Sequence, residues 1–113
     1  MTCSHMENLC VIQGDVYTRG VEYVNPDGSP VPLTGYTSRM AVKDRVDDAT
    51  PIFELTDADG LTVEDGMITI IITAERTALL SWTGAVYDLE LTPSGGSPET
   101  ILAGRVEVQD DVT

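Results

Sequence analysis

Several things that whole classes of protein require are scarce in this chain. Its 113 residues include two cysteines and one histidine. Cys3, His5 and Cys10 crowd into the first ten positions without a CxxC spacing, one ligand short of the four that a structural zinc site takes. A chain so poor in cysteine is no disulfide-dense scaffold, and reduced thiols are the default for a protein made in the cytosol. Met6 offers an alternative start that would leave Cys10 alone. Aromatic residues make up 5% of the chain, with one Trp, one Phe and four Tyr, which gives few platforms for stacking sugar rings. The longest apolar run, Met67 to Ile72, is broken by Thr69 and falls far short of the roughly 18 residues of a membrane-spanning helix. No charged-then-apolar beginning reads as a signal peptide. Positive charge is the last shortage: Lys plus Arg total 6 against 19 Asp plus Glu, a formal net charge of −13. The cations are scattered from Arg19 to Arg105, so neither a phosphate backbone nor an anionic lipid surface is an expected partner. The acidity reads first as solubility, and second as docking onto a basic protein surface.

What remains is ordinary for one folded domain. Hydrophobic residues account for 42% and charged residues for 22%, and the mean hydropathy is close to zero. Turn signals recur at short intervals: Gly14-Asp15, Asn25-Pro26-Asp27-Gly28, Thr34-Gly35, Asp57-Ala58-Asp59-Gly60, Glu64-Asp65-Gly66 and Pro93-Ser94-Gly95-Gly96. Each cluster has a mechanism for turning the chain, through a positive φ at Gly, a preset φ at Pro or side-chain bonds from Asp and Asn. Between them lie short runs rich in Val, Ile, Thr and Tyr, the pattern of an all-β sandwich or barrel.

Alternation of period two is clearest in three segments. Ile68, Ile70 and Ile72 share one face against Thr69 and Thr73. Ala85, Tyr87, Leu89 and Leu91 alternate with Asp88 and Glu90, and Leu102, Val106 and Val108 with Arg105, Glu107 and Gln109. Such alternation buries one face of a sheet and wets the other. Weaker runs are Leu9 to Ile12, Val16 to Val24, Ser38 to Val46 and Ile52 to Leu55. Thr73 to Leu80 departs from the pattern, with Thr73 placed as an N-cap and Glu75 in the first turn. Too short to persist alone, it predicts a brief helix near 74–80 crossing between two sheets. The expectation is an antiparallel β-sandwich of about seven strands over residues 13–113, preceded by an arm over residues 1–12.

Chemistry finds little purchase. Nucleophilic catalysis needs a base beside the nucleophile, and the lone His5 precedes the first credible strand. Carboxylate pairs are plentiful, but a glycosidase needs two at a set separation in a sugar-lined cleft. Asp57-Ala58-Asp59-Gly60 resembles the opening of a calcium loop, yet counting from Asp57 puts Thr62 where an EF-hand needs Gly and Ile68 where it needs Glu. A looser loop-end calcium site would use Asp57, Asp59 and Asp65; the plainer reading is a hairpin turn. Glycine-rich phosphate loops are absent. Trp82 reads as a ring capping the core beneath the short helix rather than as a binding hot spot. No enzyme and no cofactor are expected.

The order of several segments resembles a family of small tailed-bacteriophage virion proteins. These are the Asn25-Pro26-Asp27-Gly28 turn, Leu33-Thr34-Gly35-Tyr36 leading into Thr37-Ser38-Arg39-Met40-Ala41-Val42, the Gly66-Met67-Ile68-Thr69-Ile70 strand, the Thr73 to Leu80 turn, Gly84-Ala85-Val86-Tyr87-Asp88-Leu89-Glu90-Leu91, and Gly104-Arg105-Val106-Glu107-Val108. Over roughly Gln13 to Thr113 the chain looks like the immunoglobulin-like N-terminal domain of phage baseplate upper proteins. That resemblance implies an immunoglobulin-like fold, no catalytic residues, and a structural role in tail, baseplate or fibre through protein–protein assembly. It further implies other virion proteins as partners, a homo- or hetero-oligomer in the particle, and assembly in the bacterial host cytoplasm. The first twelve residues have no counterpart in it. Edge strands present unpaired backbone groups that a partner strand can extend, and Leu9, Val11 and Ile12 are the candidate interface residues on an arm from Glu7 to Ile12. Alternative roles are a capsid decoration or head–tail joining protein, or a carbohydrate- or receptor-binding sandwich using Tyr17, Tyr23 and Tyr36.

Overall fold

Eight strands and one helical turn are laid out in two sheets by a computed structural model, which describes residues 8–80 and 84–109. In chain order the elements are β1 (Leu9–Ile12), β2 (Tyr17–Glu22), β3 (Thr37–Lys43), β4 (Phe53–Thr56), β5 (Leu61–Glu64), β6 (Met67–Ile72), α1 (Ala74–Thr77), β7 (Ala85–Thr92) and β8 (Glu99–Gln109). One sheet has the order β1-β8-β7-β3-β4 and the other β2-β6-β5. The expected crossover helix is present as α1, whose N-cap Thr73 accepts a hydrogen bond from the Arg76 N–H at 3.3 Å.

The alternation predicted for three strands sets the two inner faces. Ala85, Tyr87, Leu89 and Leu91 of β7 are buried, opposite Ile68, Ile70 and Ile72 of β6 across the interior. Met40, Val42, Phe53 and Leu55 extend the larger sheet's buried layer, and Leu33, Leu61 and Leu80 close it. Side chains on these faces leave water together, each contributing about 1.5–3 kcal/mol. β2 is an edge strand in which half-buried and exposed residues alternate.

The expected sandwich is present, and its N-terminal boundary is corrected. Residues 9–12 are no separate arm: Leu9, Cys10, Val11 and Ile12 pair in register with Val106, Glu107, Val108 and Gln109, so the sandwich begins at Leu9 rather than at residue 13. That pairing is parallel, whereas the other strand ladders among the described residues are antiparallel. The strand count rises because β5, with only four residues between two turn clusters, is a strand in its own right, paired with β6 from Leu61↔Ile70 to Glu64↔Met67. In addition β8 starts at Glu99, and the ladder shifts register between Leu89 and Glu90, leaving Ile101 as an extra residue, a bulge that bends the strand.

Candidate functional site

The sequence-derived candidates disperse once placed. Leu9 and Val11 are fully buried and belong to the core, because in register with β8 they face the opposite sheet; Ile12 is 42% exposed at the end of β1. Two residues that plug the interior cannot serve as a free interface, so that expectation is corrected for Leu9 and Val11. Cys10 is the exposed thiol on the same strand. Cys3, His5 and Trp82 lie outside the described residues.

The three aspartates proposed for calcium also separate. The Asp57 carboxylate accepts the Ser38 N–H at 3.1 Å, Asp65 accepts the Leu33 N–H at 2.8 Å, and Asp59 pairs with Arg76. Strand β5 stands between Asp59 and Asp65, so the two turns lie at opposite ends of it. No group of three His, Cys, Asp or Glu among the described residues could hold a metal ion. Tyr17, Tyr23 and Tyr36 are half-buried against the core rather than laid flat on the surface. Burial pushes the Tyr17 and Tyr23 hydroxyls above their ordinary range, with Glu99 adding to the effect at Tyr23.

One pole of the sandwich is built from α1 and the β1–β2 turn. The Gln13 side chain donates to the Leu80 carbonyl at 2.7 Å, the Gly14 N–H donates to Thr77 Oγ1 at 3.0 Å, and the Thr77 hydroxyl donates to the Asp15 carbonyl at 2.9 Å. These contacts use a fully buried threonine to satisfy backbone groups that neither sheet can reach.

The feature that sequence reasoning missed is a depression of about 280 Å³ on the outer face of the larger sheet. Register builds it. Lys43, Val86 and Arg105 form one cross-strand row over β3, β7 and β8; Ala41, Asp88 and Ala103 form the next. The two alanines leave a dip on either side of Asp88, and Val46, from the β3–β4 loop and 81% exposed, also lines it. In the following row Arg39 pairs with Glu54 of β4, which stands opposite Ala41, and at 3.8 Å with Glu90 of β7. Burial pushes the Tyr87 hydroxyl, on the inward side of the same strand, up to about 12. Small residues on a solvent-facing strand position are the only trace of the dip in the sequence; which alanines sit side by side depends on register.

No protein-family model and no curated protein matches the chain. Among solved structures, the extracellular domain of the voltage-gated sodium channel beta4 subunit superposes with a TM-score of 0.53 at 8% identity, covering 99% of this chain and 98% of that one. That protein is described as forming parallel homodimers that explain its role in cell–cell adhesion. Extracellular domains 3–5 of Drosophila OTK give 0.43 at 13% identity, over 94% of this chain and 33% of that one. Identity this low speaks of fold alone, and the fold is an all-β immunoglobulin-like sandwich.

Proposed function

We propose that this chain is a non-enzymatic structural component of a tailed-bacteriophage virion, in tail, baseplate or fibre attachment, and that it acts through protein–protein assembly. The observation that carries the reading is the placement of the resembling segments. The Leu33–Val42 segment enters β3, Gly66–Ile70 forms the turn into β6, Thr73–Leu80 forms α1 and its exit, and Gly84–Leu91 and Gly104–Val108 supply β7 and β8. Those elements contribute most of the buried core of one immunoglobulin-like sandwich, so the resemblance, apart from the Asn25–Gly28 turn, falls mainly on the framework of the fold. The core is closed by packed aliphatic side chains, and the depression on the larger sheet is shallow and mostly apolar. Such a surface suits a subunit contact better than an enclosed substrate site, which buries most of its ligand.

The test is whether the chain travels with particles. Tailed particles purified through a density gradient and probed with antibody to this chain are expected to carry it at a fixed copy number, with gold label on the tail. Gradient-pure particles that lack the chain would refute the reading, and label confined to the capsid would move it to a decoration role.

A further inference from the structure

Beyond the contacts already explained, the described surface offers the depression, the outer face of the smaller sheet and the sheet edges. Charge around the depression is mixed, with Lys43 and Arg105 in one row and Glu54 and Asp88 in the next, so it selects no occupant. Nothing identifies what would cover the smaller sheet. The edges differ from one another. β2 carries Arg19 and Glu22, β4 carries Glu54 and β5 carries Glu64, whereas β1 holds no charged residue, glycine or proline. Charge on an edge strand is a device against pairing with another chain, and β1 lacks it.

Backbone direction on β1 is the second observation. The Gln13 N–H donates to the Gln109 carbonyl at 2.9 Å, at the end of the β1–β8 ladder. In a parallel ladder one residue turns both its N–H and its C=O to the neighbouring strand, and the next turns both away. Leu9 and Val11 therefore serve β8 along with Gln13, while Asn8, Cys10 and Ile12 turn outward. The Ile12 carbonyl is taken by the Asp15 N–H at 3.0 Å. The Asn8 and Cys10 carbonyls and the Cys10 and Ile12 N–H groups meet no partner among the described residues.

We infer that this edge pairs antiparallel with the same edge of a second copy of the chain, about a twofold axis at Cys10. The inference rests on the reading of the chain as an assembly module and names one of its contacts. The open groups are their own complement. Cys10 exchanges both of its backbone bonds with the partner's Cys10, and each Ile12 N–H reaches the opposite Asn8 carbonyl. The occupied Ile12 carbonyl falls opposite the Asn8 N–H, at the end of the ladder, where a missing bond leaves both groups near water. Side chains agree with that register: Leu9 stands opposite the partner's Val11 and continues the buried row, and the half-exposed Ile12 stands opposite Asn8. No charged residue of β1 meets another. The net charge of −13 opposes self-association, but at physiological ionic strength exposed charges act over only about 8 Å. Leu9 and Val11 are already buried, so pairing removes little further apolar surface from water, and the few added hydrogen bonds correspond to a Kd on the order of 1 mM. Subunits fixed side by side in a particle reach an effective concentration of about that order, so the contact forms there and opens in dilute solution.

Amide resonances of the full chain, followed by NMR on dilution from millimolar to micromolar concentration with a thiol reductant present, test this directly. The Cys10 and Ile12 amides are expected to shift together on dilution while those of β4 stay still. Cys10→Lys sets like charges opposite each other across the axis, which is destabilising, and is expected to abolish the dependence; Cys10→Glu is expected to do the same. Position 10 is on the solvent side, so both spectra stay dispersed. An equal mixture of the two variants is expected to restore the shifts, because only a pairing that brings position 10 against itself turns two repulsions into one attraction. Invariant Cys10 and Ile12 amides in the parent, a dependence that persists in either variant, or a mixture that behaves as its components overturns the inference. Such a failure leaves the assembly reading standing if the chain still co-purifies with particles, so the two can fall separately.

Discussion

Arg76 and Asp59 meet through two parallel hydrogen bonds, Nη1 to Oδ1 at 3.1 Å and Nη2 to Oδ2 at 2.6 Å, and the same guanidinium lies 5.8 Å from the centre of the Phe53 ring. This fork ties α1 to the β4–β5 turn and places a cation over the ring at the start of β4. The side-chain hydrogen bond from Arg76 holds the Asp59 carboxyl below its ordinary range. A carboxyl with a lowered folded-state pKa contributes stability above its unfolded value of about 3.9, and that contribution is lost as pH falls through the lowered one. Asp59→Asn is therefore expected to lower Tm slightly at pH 7, with the difference from the parent shrinking to nothing in strong acid. A gap that persists there would mean the pair is not its source. Arg76→Ala should cost more than Asp59→Asn, because it removes the ring contact as well.

The contrast between Gly66 and Gly28 separates two costs that a turn glycine avoids. Both hold a positive φ, +78° and +89°. A Cβ at Gly66 would fall 2.5 Å from Pro30 Cβ, whereas one at Gly28 meets nothing within 4 Å. Alanine at Gly28 is expected to lose about 1–2 kcal/mol, the penalty for an L-residue in left-handed backbone. Alanine at Gly66 should lose clearly more, since the 23–31 excursion must move. That excursion is bonded to the turn through Tyr23 N–H to the Gly66 carbonyl at 2.9 Å and Gly66 N–H to the Val31 carbonyl at 3.0 Å. Urea unfolding of the two variants checks the order.

How far the sequence reaches is visible in β5 and β1. Strands with four or more alternating positions, such as β7, announce themselves because one whole face must be apolar. β5 offers only Leu61 and Val63 between two turn clusters, too few for a period to register, and it becomes a strand because β6 provides the ladder. β1 shows apolar residues at Leu9 and Val11 that read equally as a docking arm or as a core edge. The parallel ladder to β8 decides between them, and it joins residues almost a full chain length apart. The outer-face depression was illegible for the same reason. Ala41 and Ala103 become neighbours of Asp88 only through the β3–β7 and β7–β8 registers, and the second of these contains a bulge.

Tyr87 carries a prediction for the alkaline limb. Burial raises its hydroxyl to about 12, so the folded state keeps the proton over a range where the unfolded chain, with a value near 10, gives it up. The unfolded state then binds fewer protons, and stability falls as pH rises from about 10 to about 12. The loss from this residue is on the order of 3 kcal/mol, since one unit is about 1.4 kcal/mol. Tyr87→Phe should flatten that part of the stability curve; an unchanged slope in denaturant titrations across the interval would assign the fall to other groups.

Two buried hydroxyls of opposite standing allow a further comparison. Thr77 Oγ1 accepts from Gly14 and donates to Asp15, while Ser38 Oγ is buried without a hydrogen-bond partner. Thr77→Val keeps the shape and strands the Gly14 N–H, at an expected cost of about 1–3 kcal/mol. Ser38→Ala removes an unsatisfied group and should be neutral or stabilising, its backbone N–H still bonded to Asp57. Equal losses for the two variants in chemical denaturation would contradict the hydrogen-bond account.

Leu9 and Cys10 are adjacent on β1 and face opposite ways, and this decides whether the first strand belongs to the domain or to a partner. Leu9 is fully buried in the core cluster beside Val11 and Val106, and Cys10 is exposed. If the strand is integral, Leu9→Ala opens a cavity in the shared core and costs about 2–5 kcal/mol. Cys10→Ser, on the solvent side, should stay within about 0.5 kcal/mol of the parent. Were β1 instead a loosely attached arm, both substitutions would leave the isolated chain's stability unchanged, and the effect of Leu9→Ala would emerge only in binding. Urea unfolding of the isolated chain distinguishes these outcomes. A large loss for Leu9 beside a silent Cys10 would confirm that any neighbour reaching this edge adds to a strand already in place, on the side where Ile12 and Cys10 meet solvent.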